Sequence, residues 1–106
     1  MAEQVLLAIS TFPDAEMACR IAQQLVEERL AACANLLPDV HSIYHWKGKI
    51  ETAGEVMVFF KTTQDRLPAF EEKLRSLHPY EVPELMCLNI DGGSPDYLRW
   101  VIDNCR

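Results

Sequence analysis

The order of strand-like and helix-like patterns constrains the fold of this 106-residue chain more than any other feature. Runs of β-branched, aliphatic and aromatic residues predict strands, and apolar residues that recur every three or four positions predict helices. The predicted strands cover 3–11, 40–51, 55–63 and 84–90, and the predicted helices cover about 14–29, 65–77 and a segment that begins at Ser94. The pattern is therefore β-α-β-β-α-β, followed by a terminal helix.

Several residues mark the predicted helix ends. Thr11 and Asp14 have the spacing of a capping box at the start of the first helix. Pro79 keeps His78 out of helical backbone geometry, so the second helix stops at or before His78. Ser94 as N-cap, with Pro95 at the first helical position, starts the third helix.

The middle of the sequence predicts a hairpin over 40–62 that turns at Gly48. A strand that opens at "ANLL" is interrupted by Pro38 and Asp39. The run 55–63 is almost continuously apolar, which is typical of a strand that is buried on both faces.

This order predicts an α+β fold of the ferredoxin-like type, as a single domain over residues 1–106. Four antiparallel strands form one sheet in the order 4-1-3-2, with two helices on one face and a C-terminal helix in addition. The other face then carries Val, Met, Phe, Tyr and Trp side chains without a covering layer. Because an apolar face of that size is rarely exposed, we expect a homo-oligomer.

The same topology places one polar loop beside the end of the first strand. The loop is "LHPYEVPEL" (77–85), and the first strand ends near Ser10 and Thr11. The hairpin tip at 46–49 points to the same end of the sheet. The sequence therefore predicts a corner formed by these three segments.

Composition and charge exclude several classes of function. The formal net charge is −6 and the ten Lys and Arg residues form no basic stripe, so a nucleic-acid partner is not expected. No window approaches 18 apolar residues, which argues against a membrane partner. The N-terminal residues lack the features of a signal peptide, so we expect a cytoplasmic protein with reduced cysteines. Cys19, Cys33 and Cys87 are predicted to be small buried residues.

Three other candidate groupings have simpler explanations or unfavourable geometry. His41 and His45 share a strand face but lie ~13 Å apart, which is too far for one metal ion. Tyr44 and Trp46 share a strand face and indicate an interface or a pocket wall. A nucleophilic pair of Cys33 with His78 is disfavoured because the topology places them at opposite ends of the sheet.

His78 itself allows three interpretations. It can interact with the free carbonyls at the end of the second helix. It can bind a metal such as copper through its imidazole. It can also work with Tyr80 and Glu84 on a small molecule. The residues alone leave these alternatives open, with the first slightly favoured.

Five collinear segments resemble the CutA family of divalent-cation tolerance proteins. They are "RLAACANLLP", "SIYHWKGKIE", "EVMVFFKTT", "HPYEVPEL" and "DYLRWV". The resemblance runs from about residue 5 to the C-terminus. It implies a ferredoxin-like subunit, a tight homotrimer, a cytosolic location, copper binding and a role in tolerance of metal ions. The implied trimer is similar to that of PII-type signalling proteins, which is an analogy of fold.

The resemblance also implies a copper site at the predicted corner. Family members that bind copper have a cysteine at the end of the first strand and two adjacent histidines before "PY". Here Ser10 is at the cysteine position, Leu77 is at the first histidine position, and His78 alone matches. The predicted metal residues are therefore His78 and Ser10, with weak binding of copper or another divalent cation at most.

Five other residues match the family, and the resemblance implies that they gather in a cleft between subunits. They are Trp46, Lys61, Tyr80, Glu84 and Tyr97. For Lys61 and Glu84, an ordinary surface ion pair is an equal alternative.

Three functional hypotheses follow. The first is a non-enzymatic, trimeric protein of metal-ion tolerance. The second is a PII-like signalling trimer that binds a small ligand or a protein partner. The third and weakest is an enzyme that uses His78, Tyr80 and Glu84 in an inter-subunit cleft.

Overall fold

The computed structural model describes residues 3–106 and contains one sheet with helices on one of its faces. Its strands are β1 (Val5–Phe12), β2 (Cys33–Trp46), β3 (Lys49–Thr63) and β4 (Met86–Asn89), and its helices are α1 (Ala15–Glu27), α2 (Leu67–Leu77) and α3 (Pro95–Asp103). The strand order is β2-β3-β1-β4, with every neighbouring pair antiparallel. The predicted element order, fold class and strand order are confirmed. Among residues 3–106, no helix combines the length and apolar character that a membrane crossing requires.

The hairpin of β2 and β3 is longer than predicted, with arms of 14 and 15 residues. Pro38 and Asp39 do not interrupt β2. They form a β-bulge, because Leu37 lies opposite Met57 and Val40 lies opposite Glu55. Asp39 adopts a φ of 62°, a left-handed conformation that aspartate tolerates better than most residues. The strand therefore absorbs the irregularity and continues.

Three details of the predicted element ends differ from the structure. The N-cap of α1 is Asp14, whose side chain accepts a hydrogen bond from the backbone N–H of Met17, so Thr11 forms no capping box. Helix α2 begins at Leu67 and not near 65, and β4 begins at Met86 and not at 84. The predicted N-cap Ser94 is confirmed, since its Oγ accepts from the N–H of Tyr97.

The two faces of the sheet differ in burial. Even-numbered residues of β1 and β3 pack under α1 and α2 in the main core, where Ala8, Phe12, Val58 and Phe60 are fully buried. The odd-numbered residues Met57 and Phe59 are only half-buried. The prediction that 55–63 is buried on both faces was therefore wrong for the single chain. We call the second face, which neither α1 nor α2 covers, the open face.

Helix α3 closes one end of the sheet. Val101 and Cys105 are buried against Val5 and Ala32, and Leu98 and Ile102 pack around them. All four cysteines are free thiols, but their burial differs from the prediction. Cys19 and Cys87 are exposed and Cys33 is half-buried.

Candidate functional site

The predicted corner exists, and His78 is its centre. His78 is 8% exposed and follows the last residue of α2. Its Nε2 lies 2.7 Å from the carbonyl oxygen of Thr11, and its Nδ1 lies 3.2 Å from the backbone nitrogen of Tyr80. Thr11 thus meets the 77–85 loop through a direct hydrogen bond, as the topology predicted.

These two contacts determine the protonation state of His78. A carbonyl can only accept, so Nε2 carries the hydrogen, and Nδ1 uses its lone pair to accept from Tyr80. The ring is therefore neutral, and burial lowers the pKa of His78. Neither ring nitrogen offers a free lone pair to a metal ion in this arrangement. The interpretation in which His78 interacts with helix-end carbonyls also finds no contact, because the ring bonds to β1.

An aromatic stack runs from β1 into the loop. The ring of His78 is stacked on Phe12, with centroids 4.7 Å apart, and tilted against Tyr80 at the same distance. The hydroxyl of Tyr80 donates a 2.7 Å hydrogen bond to the carboxylate of Glu55. His78 therefore holds the loop against β1 and fixes the position of the Tyr80 ring.

Beyond this stack, the open face carries a pocket of about 570 Å³. It lies where the hairpin, the end of β1 and the 77–85 loop meet. The residues that line it are Thr11, Tyr44, Trp46, Ala53, Glu55, Pro79, Tyr80, Glu81, Val82 and Glu84. Of the predicted cleft residues, Trp46, Tyr80 and Glu84 thus come together within one chain.

The pocket is acidic. Burial and the neighbouring charge of Glu55 raise the pKa of Glu84. Burial and the hydrogen bond to Glu55 raise the pKa of Tyr80 well above its ordinary value, so its hydroxyl stays protonated. Glu55 was missed in the sequence, where it is the first residue of an apolar run. In the hairpin, Glu55 lies opposite Val40. Only knowledge of this strand register would have placed the Glu55 side chain at the pocket.

Ser10 does not point toward this pocket. It belongs to the even-numbered set of β1 that packs under the helices, and it is fully buried. Its hydroxyl has no hydrogen-bond partner among residues 3–106. Within the same residues, no three His, Cys, Asp or Glu side chains come close enough to hold a metal ion. A metal site at Ser10 and His78 remains a prediction from the resemblance, without support from the geometry.

Lys61 and Tyr97 lie away from the pocket. Lys61 is near the other end of β3, where its ammonium group contacts Asn35 Oδ1 and lies 3.7 Å from Cys33 Sγ. Tyr97 is on α3 and stacks on Trp100 with a centroid distance of 5.6 Å. The described contacts include no ion pair between Lys61 and Glu84. A cleft that unites all five predicted residues would need a second subunit, and it remains a prediction.

The sheet order, the long bulged hairpin and the helix-capped corner define a small ferredoxin-like α+β protein. The model of one family, CutA1 divalent ion tolerance protein, matches residues 6–104. The chain belongs to this family, as its sequence motifs predicted.

Individual relatives agree with this assignment. The chain is 44% identical over 102 residues to the divalent-cation tolerance protein CutA of Thermus thermophilus, covering 96% of this chain and 97% of that protein. It is 50% identical over 97 residues to protein CutA of Mus musculus, covering 92% of this chain but 55% of the mouse protein. The chain therefore spans about half the length of the mammalian relatives it matches.

Solved structures show the same fold. CutA of Xylella fastidiosa superposes with a TM-score of 0.93 at 41% identity, over 96% of this chain and 98% of that one. CutA1 of Oryza sativa gives 0.94 at 36% identity, over 97% of this chain and 94% of that one.

Proposed function

We propose that this protein is a cytoplasmic, non-enzymatic homotrimer that contributes to tolerance of divalent metal ions. The observation that carries the proposal is the family match over residues 6–104, since that family is described by divalent ion tolerance. The relative from Thermus thermophilus carries the same description in its name.

The open face supports self-association. Register pairs place a continuous set of apolar side chains on it, none of which is fully covered in the single chain: Leu7, Ile9, Leu37, Met57, Phe59, Met86 and Leu88. An apolar area that extends across four strands is typical of a buried interface. A second copy of the chain is the partner that the proposal assigns to it.

The hairpin arm supports a trimer with extensive contacts. Beyond the bulge, β2 and β3 extend past the helices, and Ile43 and Ile50 are 73% and 60% exposed. A long two-stranded arm with exposed apolar residues is marginally stable by itself. Packing of the arm against a neighbouring subunit would bury these side chains.

A substitution that introduces one charge into the proposed interface tests the assembly. In Ile9→Asp, the carboxylate would be placed in the proposed interface, where burial without a partner is costly. We expect sedimentation equilibrium to report a trimer for the wild type and dissociation for Ile9→Asp. Gln23→Asp places the same charge on the exposed side of α1 and should leave the trimer intact. A monomeric wild type would contradict the proposal.

Metal binding is expected to be weak in one subunit. His78 uses both ring nitrogens in hydrogen bonds, and the described residues contain no cluster of three ligands. A calorimetric Cu(II) titration of the wild type and His78→Asn tests the predicted site. Stoichiometric binding that is lost in His78→Asn would show that the corner rearranges around the ion. Equal binding in both proteins would place the metal elsewhere.

The tolerance role needs a cellular test. Host cells that lack their own CutA relative should grow in toxic concentrations of a divalent cation when they express this chain. The interface variant Ile9→Asp should fail to support growth at equal protein levels. Absence of any growth difference with the wild-type chain would contradict the tolerance role.

A cytoplasmic location is part of the proposal. Exposed free thiols such as Cys19 and Cys87 persist best in a reducing compartment. One structural relative, from Archaeoglobus fulgidus, is named as periplasmic, so fractionation of cells that express the tagged chain is the direct test. Recovery in the periplasmic fraction would overturn this part of the proposal.

A PII-like trimer that binds a small ligand is the second candidate function. The observation that favours it is the preformed pocket on the open face, whose lining includes neither of the predicted metal residues, His78 and Ser10. The two functions are compatible within one assembly, and their tests are independent.

A further inference from the structure

Three aromatic side chains stand around the open-face pocket. Tyr44 and Trp46 project from β2, and Tyr80 projects from the 77–85 loop. Tyr44 and Trp46 are 43% and 38% exposed, which is unusual for such large rings in a concave site. Within one chain, these ring surfaces are therefore accessible to an occupant.

The charged residues of the pocket all have one sign. Glu55, Glu81 and Glu84 line it, and none of its lining residues is a Lys, Arg or His. Electron-rich aromatic faces and carboxylates both attract a positive charge. An anionic ligand such as a nucleotide would meet repulsion from every charged group in the pocket.

The geometry disfavours a bare metal ion as the occupant. A hard divalent cation requires several oxygen ligands at 2–2.6 Å, and no group of three candidate ligands converges among residues 3–106. A larger cation can contact carboxylates that are far apart and use the aromatic walls at the same time. The volume of about 570 Å³ is also in the range of small-molecule sites.

One wall of the pocket is rigid before any ligand binds. Tyr80 is held by the His78 ring at 4.7 Å and by the 2.7 Å hydrogen bond to Glu55. Trp46 is already within reach of a cation of the chain itself, because Lys47 Nζ lies 5.7 Å from its ring centroid, and a bound ammonium ion would compete with this contact. A preformed wall reduces the entropy that binding must overcome.

We propose that this pocket binds a small alkylammonium ion, with its charge between Glu55 and Glu84 and its alkyl groups against Tyr44, Trp46 and Tyr80. The inference rests on the second candidate function and deepens it, and it goes beyond the metal-tolerance role because the pocket is lined by one chain and by none of the predicted metal residues. Alkylated ammonium ions are the ligands that aromatic cages recognise best.

Choline and its uncharged isostere 3,3-dimethylbutan-1-ol form the matched probe pair. In the assembled Trp100→Phe protein, Trp46 is the remaining tryptophan, and its fluorescence reports on the pocket. We expect a saturable change with choline in the millimolar range or below, and at least about tenfold weaker binding of the isostere.

Variants separate charge from packing. Glu84→Gln should weaken choline binding by about tenfold, and Trp46→Leu, followed by calorimetry, should weaken it by a similar factor. Glu16→Gln removes one exposed carboxylate on α1 and should leave binding unchanged. Glu84→Gln keeps the size and shape of the side chain, so weaker choline binding by this variant would not result from a loss of folding.

Three results would overturn the proposal. Equal binding of choline and its isostere would show an apolar pocket without selectivity for charge. Equal weakening by Glu84→Gln and Glu16→Gln would show general attraction by the acidic protein. No saturable binding by the intact trimer would show that another subunit fills the pocket. None of these results would affect the sedimentation or metal tests of the proposed function.

Discussion

The two faces of the sheet are built from similar residues but have different environments. Phe60 is fully buried under the helices, whereas its neighbour Phe59 is only half-buried on the open face. Leu6 and Leu7 of β1 differ in the same way. Both faces are apolar, so sequence hydrophobicity alone does not tell which partner covers each one. The covered face is completed by the chain itself, and the open face is the one to which we assign a second copy of the chain.

The two faces should differ most in how the effect of a mutation on stability depends on protein concentration. Phe60→Ala should lower the free energy of unfolding by about 3–5 kcal/mol, because it leaves a cavity in the core. Phe59→Ala should act mainly through subunit association, so its effect on the urea midpoint should grow as the protein is diluted. Denaturation at two protein concentrations measures both effects. If the Phe59→Ala effect does not depend on concentration, the open face is not an interface.

His78 belongs to the covered side, and its removal should cost about 1–3 kcal/mol by leaving buried polar groups without partners. Its lowered pKa means that the unfolded chain binds the proton more readily. The wild type should therefore lose stability as the pH falls below about 6.5. His78→Gln should reduce this loss in pH-dependent unfolding, whereas His45→Gln, on the exposed arm, should retain it. Identical slopes for both variants would exclude His78 as the cause.

Tyr80 lies at the border between the covered side and the open face. Tyr80→Phe keeps the ring on His78 but removes the hydrogen bond to Glu55, which should cost about 1 kcal/mol. The pocket should also become less rigid. Chemical denaturation measures the cost, and a double variant with Glu55→Gln checks the cause. If the two single effects simply add, the two groups do not interact.

Substitution of Glu84 should have the smallest effect on stability. Its pH dependence should have the opposite sign to that of His78. The raised pKa of Glu84 means that ionisation is less favourable in the folded chain than in the unfolded chain. Stability from this group is therefore full at acid pH and falls as the pH rises through the folded pKa. Glu84→Gln should stabilise the protein slightly near pH 7 and lose that advantage near pH 4. A destabilised variant at pH 7 would show that Glu84 has a favourable partner in the assembly.

Much of the fold was predictable because local patterns and topology agree. The periods of the apolar residues gave the element order, and the fold rules then brought Thr11, Trp46, Tyr80 and Glu84 to one end of the sheet. The acidic partner Glu55 was not predictable, because its side chain faces the pocket only through the hairpin register. Lys61 and Tyr97 were grouped with the pocket by family resemblance, although one chain places them far from it.

The cysteine predictions failed for a physical reason that the sequence contains. Cys19 lies just outside the buried stripe of α1, which is formed by Ala18, Ile21, Ala22 and Leu25. The general preference of cysteine for burial predicts a buried Cys19, whereas the local helical phase places it outside the stripe. The roles of His78 depended on which nitrogen meets which backbone group, and no sequence pattern encodes that detail.

The bulge at Pro38 and Asp39 has a consequence for which side chains the arm presents. In a regular strand, residues an odd number apart face opposite sides, yet Leu37 and Tyr44 both lie on the open face. The extra residue shifts the inward and outward alternation of side chains by one position. Side chains before and after the bulge that would face opposite sides in a regular strand therefore face the same side. A chain without Asp39 would keep Tyr44 and Trp46 where they are. A chain that kept Asp39 but straightened the strand would turn them to the helix side and present Ile43 and His45 instead.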